Sequence, residues 1–299
     1  MSNLPKVLVI IHNNSQEAES VAAQVCQQLK DKKIEIFAPL EDSKLLEKAG
    51  VQVQVFESKN ETSPNLALVF GGDGTILRAV EVSRGRNIPI LGINLGHVGF
   101  LAEAELEHLE DVVKSIVDHS WIEEDRLTLD VSVFKENNKV LSTFALNDVS
   151  IEKSEPGHMF DVILEIDSQP VSRLSGDGLV CATPTGSTAY AFSAGGPVVW
   201  PSVEAICVVP ISAHALFAKP LVVSPLSKIA IEIPANGTNG HLTADGRRSF
   251  DLFPGMRIEI TKSQDYVHLA RMENKSFSQT LVKKFQLPVE GWRGNSKRK

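Results

Sequence analysis

The apolar run Leu66 to Phe70 ends in Gly71-Gly72-Asp73-Gly74-Thr75, and a helical pattern starts at Thr75. A strand that stops on glycines and turns straight into a helix is the building unit of an open, mostly parallel α/β sheet. The pattern has company. Lys6 to Ile11 reads as a buried strand, and Ser15 then stands as an N-cap before an amphipathic stretch bearing Ala18, Val21, Ala22, Val25 and Leu29. Ile34 to Phe37 is the next strand, and Ile88 to Ile93 repeats the strand-then-glycine sequence. Residues 1–125 are therefore expected to form an α/β domain carrying the glycine-rich turn.

Near Arg126 the period changes to two. Leu127, Leu129, Val131 and Val133 alternate with polar residues, as do Phe160, Val162, Leu164 and Ile166. Further short strands are expected at Gly178 to Ala182, Lys228 to Ile233, His241 to Asp245 and Met256 to Thr261. Residues 126–299 thus read as a β-rich, sandwich-like domain of mostly antiparallel strands, with the last segment packing back on the first domain.

A net charge of −7 gives no basic face for coating nucleic acid or an anionic membrane, so neither is an expected partner. The dense basic cluster Arg293, Lys297, Arg298 and Lys299 reads as a solvated tail. Cys26, Cys181 and Cys207 form no C-x-x-C pair and read as small buried apolar residues in a reducing compartment. No run of 18 uncharged apolar residues occurs, and Lys6 and His12 bracket only a strand-length one. A cytoplasmic protein is expected.

The turn around Asp73 sits where open α/β sheets bind ligands. Its glycines Gly71, Gly72 and Gly74, with Thr75 at the helix start, are candidate phosphate contacts, since bare backbone and free helix N–H groups approach anions closely. A carboxylate inside such a turn repels phosphate and suits instead a base that takes the proton of an attacking hydroxyl. The turn carries neither G-x-x-x-x-G-K-[ST] nor the G-x-G-x-x-G spacing. A second stretch, Gly92 to Leu101, adds backbone donors to the same crevice or is simply a structural loop.

In the β-rich part, Asn147-Asp148 closes the run Thr143 to Leu146 as a ligand contact or a polar turn. Ser175-Gly176-Asp177-Gly178 precedes Thr183-Pro184-Thr185-Gly186-Ser187-Thr188-Ala189-Tyr190, a stretch dense in hydroxyls just before a short helix. It reads as a polar ligand cradle with an aromatic lid, Tyr190 either stacking on a base or joining the core.

Taken with Ser193-Ala194-Gly195-Gly196-Pro197, these motifs resemble the bacterial NAD kinases in order and spacing, from Val7 to about Trp292. Gly-Gly-Asp-Gly-Thr alone is shared with diacylglycerol and sphingosine kinases and, loosely, with 6-phosphofructokinases; the Thr183 to Tyr190 stretch singles out NAD kinase. The resemblance implies transfer of the ATP γ-phosphoryl group to the adenosine ribose 2′-hydroxyl of NAD⁺, with Asp73 as base. It further implies dinucleotide contacts from Gly74, Asn147, Asp148, Ser175 and Asp177, and from Thr188, Ala189, Tyr190, Ala191, Phe192 and Ser193 around the adenine. His158, Asp245 and Arg247 are further candidates, His158 otherwise being a loop residue and Asp245-Gly246 a plain β-turn. Arg247 departs from the family's commoner pattern, as Ser175 does where some relatives carry a basic side chain. No metal-ligand cluster is visible, so Mg²⁺ or Mn²⁺ is expected to arrive with ATP. A homodimer or homotetramer is expected as well. A lipid kinase would share the Asp73 turn but need an apolar acceptor pocket, and a non-catalytic NAD(H) sensor would have no use for a carboxylate beside phosphates.

Overall fold

The computed structural model describes residues 4–57, 63–96, 99–102, 104–105, 108–215, 218–273 and 276–288. The basic tail and His97 of the second glycine stretch lie outside the described residues. The chain divides into two compact units, Met1–Asp125 with Val267–Lys299, and Arg126–Tyr266.

The first unit contains β1 (Lys6–Ile11), α1 (Gln16–Asp31), β2 (Glu35–Ala38), α2 (Leu40–Lys48), β3 (Gln54–Val55), β4 (Leu66–Phe70), α3 (Asp73–Ser83), β5 (Ile90–Asn94), β6 (Ala104–Glu105), α4 (Leu109–Asp118) and β7 (Ile122–Arg126). Its sheet runs β3-β2-β1-β4-β5, then a strand from the far end of the chain, then β7. That inserted strand is β20 (Val267–Arg271), parallel to β5 through Leu269 and Ile90. Val7 to Ile11 and Leu66 to Phe70 are wholly buried, the continuous apolar runs that a parallel strand covered on both faces requires. Ser15 caps α1, its side chain accepting the Ala18 N–H, and Ala18, Ala22, Val25, Cys26 and Leu29 form the buried face. The helix expected from Thr75 begins two residues earlier. Gly72 takes the extended cap conformation, so Asp73 enters the first turn, where a carboxylate favours the helix dipole. Helix α6 (Phe277–Phe285), which in chain order follows the short α5 (Tyr190–Ser193) of the second unit, has its start closed by reciprocal hydrogen bonds between Ser276 and Gln279.

The second unit stacks two six-stranded antiparallel sheets around one core. One sheet runs β12-β11-β16-β19-β8-β9, built from β8 (Leu129–Lys135), β9 (Asn138–Ala145), β11 (Phe160–Ile166), β12 (Gln169–Gly176), β16 (Ile229–Glu232) and β19 (Met256–Lys262). The other runs β15-β14-β13-β10-β17-β18, from β10 (Asp148–Lys153), β13 (Gly178–Ala182), β14 (Ile206–Ile211), β15 (Leu221–Val223), β17 (Gly240–Ala244) and β18 (Arg248–Leu252). Strands β8, β11 and β19 bury alternate residues, but β13 buries every one. The reason is a second apolar cluster, in which Ala191 and Val199 cover Val180, Ala182, Cys207 and Val209. The hairpins β8–β9 and β11–β12 turn on Glu136-Asn137 and Asp167-Ser168, all at positive φ as the twist of two-residue loops demands. Among the described residues no helix is long and apolar enough to cross a membrane, and all three cysteines are buried.

Candidate active site

In the first unit the strand order reverses between β1 and β4, the position where an open sheet leaves a crevice beyond its carboxyl ends. Asp73 follows β4 there. Its half-buried carboxylate accepts the Phe100 N–H on Oδ2 and the Leu101 N–H on Oδ1, each at 3.0 Å. A Cβ on Gly99 would meet that carboxylate, so any side chain there has to displace it or the loop. The loop is held from behind as well. The Leu101 carbonyl accepts from Arg271 Nη1 at 3.1 Å, Arg271 Nε donates to Glu124 at 2.9 Å, and the Phe100 ring lies 5.9 and 5.8 Å from Phe277 and Phe285 of α6. An ionised carboxylate can accept about four hydrogen bonds. Two main-chain donors orient Asp73 and leave acceptor capacity for a substrate hydroxyl.

The candidate phosphate contacts divide. Gly72 and Gly74 are open, with nothing near a would-be Cβ. Gly71, at φ 153°, is packed against the Thr75 hydroxyl and His12, and Thr75 is itself buried. Those two shape the turn rather than present a surface. One turn along α3, Arg78 Nη2 lies 2.6 Å from both oxygens of the buried Asp42, and the guanidinium also donates to Asn13 and the Ile11 carbonyl. This pair ties α3 to the end of β1, and no local pattern announced it.

In the second unit Asn147 and Asp148 join β9 to β10, with Asp148 opening a strand rather than closing one. Every main-chain polar group of the turn is tied. Asp245 Oδ1 accepts from Asn147 N–H at 2.7 Å and Asp148 N–H at 3.4 Å, and its Oδ2 from Leu146 N–H at 3.0 Å. The Asp245 N–H returns to the Asp148 carbonyl at 2.9 Å. On the other side, Thr183 donates its hydroxyl to the Leu146 carbonyl at 2.6 Å and its N–H to the Asn147 carbonyl at 2.9 Å. Gly186 passes so close that any Cβ would strike the Asn147 carbonyl.

The hydroxyl-dense stretch therefore works inward. Thr183, Thr185 and Ser187 are buried, and Ser187 bonds the Pro184 and Val199 carbonyls. Their hydroxyls are taken up by protein partners: Thr183 also accepts the Gly186 N–H at 3.1 Å, and the Thr185 hydroxyl accepts from Arg126 Nη1 at 3.4 Å. The Ala191 side chain is likewise turned into the core. Outward faces remain for Thr188 and Ala189, half exposed, and for Tyr190, Phe192 and Ser193, exposed. The Tyr190 hydroxyl donates to Glu152 at 2.9 Å, which fixes the ring, and burial with that bond pushes its pKa to about 12. Burial and the neighbouring Asp245 and Glu152 charges raise Asp148 to about 7, against the Tyr190 N–H bond that favours its ionised form.

Ser175 lies on β12 opposite Asp161 and donates its hydroxyl to that carboxylate, the main cause of Asp161's lowered pKa. Asp177 pairs with Lys153 at 2.6 Å, and this bond, with help from Ser212 and His214, holds its carboxyl below the usual range. His158 is exposed, 3.5 Å from Glu155. Arg247 is exposed in the β17–β18 turn; its neighbour Arg248, which the sequence did not single out, bonds Asp245 at 2.9 Å. Glu152, Lys153 and Asp161 were also missed, since each acts through a partner distant in the chain. Among the described residues no group of three or more His, Cys, Asp and Glu is arranged to hold a metal ion.

Comparison with known proteins gives these features a common setting. The chain is similar to the NAD kinase of Thermobifida fusca, 46% identical over 97% of this chain and 92% of that one. It is equally similar to the NAD kinase of Mycobacterium bovis, 46% identical over 96% and 98% of the two chains. Its fold matches an NAD kinase of Archaeoglobus fulgidus solved in complex with ATP, with a TM-score of 0.69 and 29% identity over 94% and 98% of the chains. A yeast NADH kinase complexed with NADH matches with a TM-score of 0.89 over 99% and 91%, at 22% identity a likeness of fold alone. With residues 7–121 matching the ATP-NAD kinase N-terminal domain and 146–272 the C-terminal domain, the segments around Asp73 and Asp148 both fall inside matched regions, and the chain belongs to the ATP-NAD kinase family.

Proposed function

We propose that this protein transfers the γ-phosphoryl group of ATP to the 2′-hydroxyl of the adenosine ribose of NAD⁺, with Asp73 taking the hydroxyl proton. The observation that carries the reading is the Asp73 carboxylate, oriented by the N–H groups of Phe100 and Leu101 and left with acceptor capacity beside the open Gly72 and Gly74. A base needs that combination of fixed direction and vacant lone pairs. Phosphoryl transfer otherwise asks mainly for positioning and charge neutralisation, which a divalent cation entering with ATP supplies. Asn147 and Asp148 then face the ribose, and the fixed, partly exposed Tyr190 ring stacks on the adenine with Thr188, Ala189, Phe192 and Ser193 around it. Asp177, Ser175 and His158 lie toward the remainder of the dinucleotide. A cytoplasmic homodimer or homotetramer completes the reading.

The test is NADP⁺ formation by the purified protein from NAD⁺, ATP and Mg²⁺, read through an NADP-specific dehydrogenase, with NADH and diacylglycerol as alternative acceptors. Turnover of NAD⁺ or NADH supports the reading. Binding of NAD⁺ without phosphorylation of any acceptor would replace it with a sensor.

A further inference from the structure

Asp245 stands in a left-handed conformation, φ 52°, followed by Gly246 at 65°, and the Arg247 N–H closes the tight turn on the Ala244 carbonyl at 3.0 Å. An Asp-Gly turn of this kind needs nothing from the aspartate side chain, yet this side chain is only 1% exposed and fully committed. Three main-chain N–H groups and Arg248 Nη2 occupy its two oxygens. Four donors exhaust a carboxylate. No lone pair is left for a ribose hydroxyl, and burial removes it from contact with a dinucleotide. Arg248 is itself bound to the end of β9: it donates to the Phe144 carbonyl at 2.7 Å and the Thr143 hydroxyl at 3.3 Å, and its guanidinium lies 4.2 Å over the Phe144 ring. The pair thus braces both the approach to the turn and the turn itself.

We infer that Asp245 and Arg248 are positioning residues for the dinucleotide site, acting by locking the backbone of Leu146, Asn147 and Asp148 so that the Asn147 and Asp148 side chains are preorganised. The side chains touch no substrate. Their effect is expected on dinucleotide affinity, with ATP affinity changing far less. The identity of the ligand rests on the reading of the chain as an NAD kinase; the backbone lock does not.

The experiment uses the full chain and the variants Asp245→Asn, Arg248→Ala and Arg248→Lys. Hydrogen exchange is followed by mass spectrometry over the peptide containing residues 146–148, NAD⁺ and ATP are titrated separately by calorimetry, and thermal unfolding is recorded. In Asp245→Asn and Arg248→Ala, exchange should accelerate in that peptide alone, with the NAD⁺ dissociation constant rising about 10- to 100-fold and that of ATP changing less than about threefold. Arg248→Lys keeps the charge but loses the planar fork, so it should fall between parent and alanine. Unchanged exchange at 146–148, or local loosening with parent-like NAD⁺ affinity, overturns the inference. So does a general rise in exchange with both ligands weakened together, the signature of a merely structural pair. A parent protein that binds no NAD⁺ would defeat the functional reading instead, and exchange alone would then decide whether the lock exists.

Discussion

Asp73 and Asp245 are both carboxylates that accept main-chain N–H bonds, and they do opposite things. Asp73 takes two donors from Phe100 and Leu101, is half exposed, and lies beside two glycines with open space before them. Asp245 takes three N–H groups and an arginine and is closed from solvent. The number of lone pairs left over separates a carboxylate that can act from one that holds. Residue type and an adjacent glycine are the same in the two turns, so neither could have made the distinction.

The largest effect expected from this contrast is at the acting carboxylate. Asp73→Asn keeps the shape but removes the proton acceptor, so kcat should drop about 10²- to 10⁴-fold with the NAD⁺ dissociation constant little altered. Near-parental turnover would show that another group takes the proton. Next comes Gly99→Ala, whose added methyl must displace the Asp73 carboxylate or the loop that orients it. A loss of about 10- to 100-fold in kcat is expected, and steady-state kinetics showing no loss would mean the orientation given by Phe100 and Leu101 is dispensable.

A third test uses pH. Asp148 titrates near 7 because it is buried beside Asp245 and Glu152. Its pKa is raised on folding, so between about pH 4 and pH 7 the native state keeps a proton that the unfolded chain releases, and stability falls as pH rises through that window. The rise from the ordinary carboxylate value sets an upper bound of about 4 kcal/mol on this contribution. Asp148→Asn should remove it, so denaturant titrations at pH 5 and pH 8 should show a smaller stability loss in the variant than in the parent. Equal losses would mean that Asp148 does not carry the buried proton. The smallest effect is at a helix cap that belongs to neither turn: Ser15→Ala removes the α1 cap and should cost about 1 kcal/mol of stability in a denaturant titration.

Much of the fold was legible because its signals are local. The continuous apolar runs of β1 and β4, the Ser15 cap and the alternation in β8 and β11 each follow from side-chain direction within a few residues. That β20 enters the parallel sheet beside β5 was not legible, since a five-residue run carries nothing that names its partner strand. The uninterrupted burial of β13 likewise depends on Ala191 and Val199 covering its second face.

The candidate site followed the same division. By itself the sequence determined which segments are candidates for chemistry, because the glycine-rich turn at Asp73, Asn147-Asp148 and the Thr183 to Tyr190 stretch are patterns of residue type at short spacing, and it placed the chain in a resemblance that its membership of the ATP-NAD kinase family matches. Only the tertiary structure decided what each side chain does there. It turned the hydroxyls of Thr183 and Ser187 inward, spent Asp245 on the backbone of Leu146 to Asp148, brought Arg248 to it and left Asp73 half open. Hydrogen-bond occupancy and burial depend on partners up to 170 residues away in the chain, and no local spacing encodes them.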